Sequence, residues 1–459
     1  MTSENLPVAI IGGGPIGLAA AAHAIARDVP VKLYEAGATV GTNLRDWGHV
    51  RVFTPWELNV DAVARSLLER HGWRMPPLGE LPTGEELYAR YLKPLAEIPE
   101  LAAVVEVGAR VAAISRAGAD KVVSKGRETK PFRLRTARSD GGAREDLARA
   151  VIDASGTWTT PNPLGAAGLP AEGEVAHAGR IAYGMPDVLG RDRASYAGRR
   201  TLVIGAGYSA ANVLIDLVRL AQDDPRTSVT WVVRGTNLVR VYGGGRADQL
   251  LARGALGWHL KELVDQGRVS LTLGFAATAV HEAGDALLLE GNTNEGPRRI
   301  GPADRIVVAT GQRPDLGMTR ELRLDLDPWL ESVRALGPLI DPNVHFCGSV
   351  PPHGHRELAH PEPGFYTIGV KSYGRAPTFL LLTGYEQARS VVAALAGDMA
   401  AANAVRLVLP ETGVCSTQFE PDVATGVECC SEPAPAASQS CCRVGARAKD
   451  KADEVVTAD

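Results

Sequence analysis

A chain of 459 residues is too long for one compact core and implies two or three domains. Its 45% apolar and 22% charged residues are an ordinary globular balance. With 49 basic against 53 acidic residues the net charge is −4, which argues against nucleic acid or an anionic membrane as a partner.

Polar residues from Met1 to Pro7 run directly into the β-branched stretch Val8–Ile11, so no export signal is expected and the chain is placed in the cytoplasm. The turn Gly12-Gly13-Gly14-Pro15-Ile16-Gly17 comes next, then an Ala-rich helix to about Arg27. Its apolar run Leu18–Ala26 is shorter than the roughly 20 residues that a bilayer span needs. Val31–Glu35 reads as the following strand, which makes the whole a βαβ unit. Phe132–Thr136 and Ala150–Ala154 read as strands that complete the same sheet. A second unit opens with Thr201–Ile204, turns at Gly205-Ala206-Gly207-Tyr208-Ser209-Ala210, continues as a helix to about Leu220, and ends in the strand Val229–Val233 followed by Arg234. Arg305–Gly311 is an apolar strand with a Gly turn, Val344–Phe346 a short strand, and Thr378–Ala396 a helix. Beyond about Leu409 the periodicity stops, and Glu432–Ser440 is Pro-rich and linker-like.

The first Gly turn carries the strongest chemistry. Gly12 makes the tight turn, Gly14 lets the backbone approach a pyrophosphate, and Gly17 lets helix and strand lie close. Glu35 ends the next strand, where a carboxylate can accept both hydrogen bonds of a ribose diol. A plain tight turn would share the glycines but not the terminal acid in register. The second turn, with Gly205, Gly207, Ser209 and Ala210, has the same context but ends in Arg234. A guanidinium binds a 2′-phosphate that an acid would repel, although a solvated strand-end arginine would look the same. An acid at one unit and a base at the other point to two cofactors, FAD in the first and NADPH in the second. Glycine, at 50 residues against a usual share of roughly 7%, fits several such turns.

Of the six cysteines only Cys347 precedes Cys415, so there is no disulfide framework and no redox-active CxxC or CxxxxC pair from Met1 to Phe346. That removes a flavin-linked disulfide reductase of the usual kind. His353, His355 and His360 cluster after the strand expected at Val344; they could bind a metal, line an active site, or be ordinary surface.

The stretch Glu35 to Thr42, with Gly41, then Trp47, resembles the corresponding region of flavin-containing monooxygenases, Thr42 standing where a second Gly is usual. His177 to Tyr183 is similar to the end of that superfamily's linker motif, without its leading Phe. Asp153–Thr157 and Ala309-Thr310-Gly311 resemble the two crossings between the FAD and NADPH domains. Thr54 and Pro55 fall where typical members place an Asn beside the flavin. Trp47–Trp56, His360–Tyr366 and Lys371–Phe379 are similar to a subgroup of bacterial flavoprotein monooxygenases often encoded beside arsenic-resistance genes, whose C-terminal tails also carry paired cysteines. The resemblance implies FAD contacts at Gly12, Gly14, Gly17, Glu35, Gly41 and Trp47, NADPH contacts at Gly205, Gly207, Ser209, Ala210 and Arg234, and further cofactor contacts at Thr310, Gly311 and Gly348. Flavin-side candidates are Thr54, His353 and His360. Cys429, Cys430, Cys441 and Cys442 are candidate ligands for As(III) or another soft ion, or an unstructured reactive tail.

The expected fold is therefore α/β, with two Rossmann-like dinucleotide-binding domains, the NADPH domain inserted in the FAD domain, and a disordered Cys-rich tail. Expected boundaries are 1–160 and 305–405 for the FAD domain, 195–304 for the NADPH domain and 410–459 for the tail. The expected reaction is NADPH- and O2-dependent oxygenation of a soft nucleophile, a trivalent arsenical among the candidates. Alternatives are an N-, S- or Baeyer–Villiger oxygenase of a small organic substrate, and a thiophilic-ion binding or delivery protein whose nucleotide domains sense redox state. Expected partners are a small-molecule substrate and O2, with no nucleic acid or membrane; a homo-oligomer stays open.

Overall fold

A computed structural model of the protein describes residues 5–138, 141–344, 350–377 and 379–410. The strands in chain order are β1 Val8–Ile11, β2 Val31–Tyr34, β3 Val105–Glu106, β4 Ala109–Arg116, β5 Phe132–Arg138, β6 Ala143–Ala148, β7 Ala150–Asp153 and β8 Ile181–Tyr183. They continue with β9 Arg200–Ile204, β10 Ser228–Val232, β11 Ser270–Thr272, β12 Ala276–Ala283, β13 Ala286–Thr293, β14 Gly296–Ala303, β15 Arg305–Val308 and β16 Phe365–Thr367.

Two parallel sheets organise the molecule. The first has the order β16-β7-β1-β2-β3 and the second β11-β10-β9-β15-β8. Strands buried on both faces read as continuous apolar runs, and β1 and β7 are buried at every residue. In the first sheet, the helix Pro15–Ile25 packs with the helix Leu381–Leu395. Alanines from Ala19 to Ala22 let that helix sit close to Ile10, Leu33 and Ile152 in one core. In the second, Leu214 and Leu217 of the helix Tyr208–Asp223 meet Val203 and Trp231 on one face. The other face, with Leu202, Ile204 and Val232, is covered by Phe275 and by Val280 and Leu287 of the antiparallel meander β12-β13-β14 that follows it.

Two expectations need correcting. Phe132–Thr136 does not complete the first sheet; it lies in a separate antiparallel meander, β4-β5-β6. The reason is its period: Phe132, Leu134 and Thr136 are buried, whereas Arg135 between them is exposed, the alternation of a one-sided sheet. The strand that closes the first sheet beside β7 is instead β16, parallel to β7 with Tyr366 opposite Ile152, while β3 forms the other edge. The second sheet also takes in β8 and β15, both outside the span 195–304, because β15 pairs β9 on one side and β8 on the other. Val344 sits in a turn, and the rest of the strand expected there, His345 and Phe346, lies outside the described residues, as do Thr378 and the tail cysteines. Among the described residues no helix is long and apolar enough to cross a membrane.

Candidate functional site

The first Gly turn joins β1 to the helix Pro15–Ile25. Gly12 has φ +102°, and a Cβ there would lie 2.7 Å from the carbonyl oxygen of Ala154. A Cβ on Gly17 would run into the carbonyl oxygen of Gly12, so this glycine is what allows the helix to lie on the strand. At Gly14 no neighbouring atom lies within 4 Å of a Cβ, and the space is open. Gly14 is also the N-cap, and no side chain caps the helix. Side-chain caps occur at a few other helices, where Asp61 accepts from the amides of Val63 and Ala64 and Thr83 with Glu86 forms a capping box. Others such as Leu251–Asp265 and Leu381–Leu395 also lack one, so it is the open glycine turn that sets this end apart. An open, uncapped N-terminus behind a glycine turn is a cradle for a pyrophosphate.

Glu35 holds that cradle in shape. Its carboxylate accepts from Gly13 N and from Gly37 N, both at 2.6 Å. A carboxylate has room for about four hydrogen bonds, so it retains capacity for a ribose diol. Gly41, at φ +65°, donates its N–H to Gly13 O at 2.9 Å and starts the short helix Thr42–Asp46. Trp47 tilts against Trp158 at 6.5 Å.

The second turn repeats the geometry. Gly205 has φ +134°, packed on the carbonyl of Ala309, while Gly207 faces open space and caps its helix without any side chain. Ala210 is fully buried and fills the place of a third glycine. Arg234 is exposed beyond β10, and its Nη1 donates to Ala166 O at 2.8 Å. Parallel β9 and β10 pair Ile204 with Val232, so the open turn and Arg234 both follow the same edge of the second sheet, and the remaining guanidinium donors are available to a ligand.

The two domains are joined by paired crossings. Asn162 N donates to Gly311 O at 2.9 Å, its Nδ2 donates to Thr310 O at 3.0 Å, and its Oδ1 accepts from Arg313 Nε at 3.1 Å. Thr310 and Gly311 are thus hydrogen-bonded to the outgoing strand of chain at the domain junction.

The histidines do not form a cluster. His353 is buried, with Nδ1 at 3.1 Å from Pro351 O and Nε2 at 3.0 Å from the amide nitrogen of Gln387, so Nδ1–H donates and Nε2 accepts. Burial lowers its basicity. His355 reaches Asn403 instead. His360 accepts from Asp325 N at 3.3 Å, its Nε2 is buried without a partner among the described residues, and burial pushes its pKa down to about 4. Among the described residues no group of His, Cys, Asp and Glu is placed to hold a metal ion. Thr54 is buried and donates its hydroxyl to Asn59 Oδ1 at 2.9 Å, while the Asn59 amide donates to the carbonyls of Thr54 and Pro55. Gly348, Cys429, Cys430, Cys441 and Cys442 lie outside the described residues.

Asn59 escaped the sequence reading, as did a buried ion pair between Lys371 Nζ and Asp153 Oδ2 at 2.8 Å. The signal for the pair was present: single opposite charges in the otherwise uncharged runs Ala150–Ser155 and Gly364–Tyr373.

Two parallel sheets, each with an open Gly turn and an uncapped helix behind it, define a two-dinucleotide oxidoreductase. The chain belongs to the pyridine nucleotide–disulphide oxidoreductase family, whose signature matches residues 6–350. No curated protein matches it in sequence. Among solved structures it is similar to the bacillithiol disulfide reductase Bdr (YpdA) from Bacillus cereus, at 18% identity and TM-score 0.63 over 85% of this chain and 99% of that one. DfoA, the desferrioxamine-pathway cadaverine monooxygenase of Erwinia amylovora, is 14% identical with TM-score 0.60 over 92% and 99%. A flavin monooxygenase from Stenotrophomonas maltophilia is 21% identical with TM-score 0.55 over 85% and 98%. At such identities the likeness is one of fold, and this fold carries both disulfide reductases and monooxygenases.

Proposed function

We propose that the protein is a flavoprotein monooxygenase that binds FAD at the first Gly turn and NADPH at the second. The observation that carries this reading is the pairing of two open, uncapped dinucleotide turns with a chain that has no cysteine before Cys347. When bound, FAD supplies the redox chemistry: reducing equivalents from NADPH pass to O2, which yields one oxygen atom for the substrate and one for water.

The chain's own residues bind and orient. The helix Pro15–Ile25 offers its N-terminal amides to the pyrophosphate, and Glu35 faces the adenosine ribose. Arg234 reads the 2′-phosphate of NADPH with a charge-assisted contact. The Asn162–Gly311 crossing fixes the second sheet against the first, which orients the two cofactors. His353 and His360 are both disfavoured as cations by burial, so neither is a proton donor at neutral pH.

The finer reading takes a trivalent arsenical as the soft nucleophile, with Cys429, Cys430, Cys441 and Cys442 capturing it. Thiolates favour thiophilic ions, and the motifs shared with monooxygenases encoded beside arsenic-resistance genes support this substrate. An N-oxygenase of an organic amine is the second reading, supported by the fold shared with the cadaverine monooxygenase DfoA.

Substrate-stimulated NADPH oxidation under O2 tests the proposal, with trivalent arsenicals compared against amines, sulfides and ketones. Stimulation by one class identifies the substrate. Reduced protein that is inert to O2 but reduces a disulfide overturns the monooxygenase reading. Truncation after Leu409 should leave flavin content unchanged and lower turnover only at low arsenical concentration; an unchanged substrate curve removes the tail from the reaction.

A further inference from the structure

Asp153 ends β7 directly opposite Ile11, the residue before Gly12. Neighbouring strands lie roughly 4.8 Å apart, so the end of β7 runs beside the strand end that leads into the first Gly turn. Its side chain is 1% exposed and that of Lys371 is 3%. Lys371 Nζ also donates to Ser155 Oγ at 3.0 Å, and Ser155 Oγ donates to Asp153 Oδ1 at 2.7 Å. The Lys371–Asp153 approach is an ion pair without hydrogen-bond alignment, so the hydrogen-bonded tie between the end of β7 and the turn after β16 runs through Ser155.

Both tied segments touch the cradle. Ser155 Cα would lie 2.9 Å from a Cβ on Gly12, and Gly369 would bring a Cβ 3.5 Å from Ile16 in the first turn of the helix Pro15–Ile25. Replacing a buried ion pair by apolar residues is often neutral or stabilising, so the fold alone gives no reason for charges here. The cradle does. An unpaired carboxylate behind it would repel the pyrophosphate across a medium that screens poorly. The other ionisable groups nearby do not replace the ammonium. Glu331 lines the same small cavity as Asp153 and Lys371, but it is paired with Arg375 at 2.6 Å. His360 is kept neutral by burial.

We propose that Lys371 is a positioning residue for the flavin dinucleotide, fastening the two segments beside the first Gly turn and cancelling the charge of Asp153 behind it. The proposal rests on the assignment of FAD to that turn. It differs from a packing role in one respect: removing the cation and removing the anion have opposite effects on an anionic ligand and on a flavin that gains electrons.

The test compares Lys371→Met, Asp153→Asn and the double variant, using deflavinated full-length protein titrated with FAD and the reloaded protein for the flavin midpoint potential. Lys371→Met should raise the Kd for FAD by about tenfold or more, the scale of one charge-assisted contact, and lower the potential. Asp153→Asn should leave FAD bound as tightly or more tightly and raise the potential. The double variant should fall between them, and the Kd for NADPH should stay within about twofold in all three, a free-energy change well under 1 kcal/mol. Shifts of the two single variants in the same direction, or no shift in either, overturn the proposal. If Lys371→Met does not fold, Asp153→Asn decides alone, since weaker FAD binding with a lowered potential has the wrong sign. Wild-type apoprotein that takes up no FAD sinks the flavin assignment and this proposal with it; same-direction shifts in a flavin-binding protein sink the proposal alone.

Discussion

Gly14 and Gly17 stand in one turn, yet added carbon would act differently at each. A side chain at Gly14 projects into open space, so Gly14→Val should fold with the Tm of the flavin-free wild-type protein and lose its flavin absorbance after gel filtration. At Gly17 the Cβ meets the backbone of Gly12, and overpacking of that kind costs about 1–3 kcal/mol. Gly17→Val should therefore unfold at lower denaturant whether or not flavin is present. A Gly14→Val protein that keeps a full flavin spectrum would remove the pyrophosphate from this turn. Arg234 permits an equally specific test. Loss of a charge-assisted contact is worth about 1.5–3 kcal/mol, roughly ten- to a hundredfold. Arg234→Ala should raise KM for NADPH by that factor and leave KM for NADH nearly unchanged. Equal effects on both nucleotides would mean that this guanidinium does not read the 2′-phosphate.

Among the elements, the crossing between sheets carries the clearest prediction. Asn162 holds both Thr310 and Arg313, so Asn162→Ala should loosen one domain on the other without touching either Gly turn. Stopped-flow flavin reduction by NADPH should slow while the Kd of each nucleotide holds; slower reduction explained entirely by weaker binding would count against an orienting role. The two βαβ units were legible in the sequence because each joins a β-branched run, a Gly turn and an apolar helix in register. The alternation of Phe132 and Leu134 with Arg133 and Arg135 marks β5 as a strand of a one-sided sheet, but which strands it pairs with is set by the folded chain. β16 went unseen because Phe365–Thr367 is only three residues long, set between Gly364 and Gly369, and its strand character comes from β7 beside it. The glycines of the site could be read for the same local reason. Asn59 could not, since what matters about it is burial against Thr54 and the hydroxyl of Tyr385 on its carbonyl. Lys371 and Asp153 were visible as charges, but their pairing is a property of the folded sheet.

At the scale of the whole molecule, His360 links stability to acidity. Its folded pKa is about 4 and its unfolded value about 6.5. Between these the unfolded chain takes up a proton that the folded one refuses, so stability is lost as pH falls from about 6.5 to about 4, by up to about 3 kcal/mol. His360→Phe should be somewhat less stable at pH 7, where Asp325 N loses its acceptor, but should lose less stability between pH 7 and 4.5 in urea titrations. Identical slopes for both proteins would mean that other groups carry the acid sensitivity. A second long-range contact works alongside it. Glu362 accepts from both Arg116 and Arg127, and Arg116 stacks 3.6 Å over Phe132. The meander β4-β5-β6 is thereby bolted to the loop before β16, which brings residues far apart in the chain to one buried point.

The pairing of β16 with β7 has a consequence for manufacture. During synthesis the chain emerges in order, and domains ordinarily close from the N-terminus onward. Here all five strands of the second sheet have left the ribosome before the strand that closes the first one beside β7 exists. Until Phe365–Thr367 is made, β7 presents a bare row of amides and carbonyls. The domain that begins first is therefore completed last, and a fragment that stops short of β16 leaves that sheet unfinished.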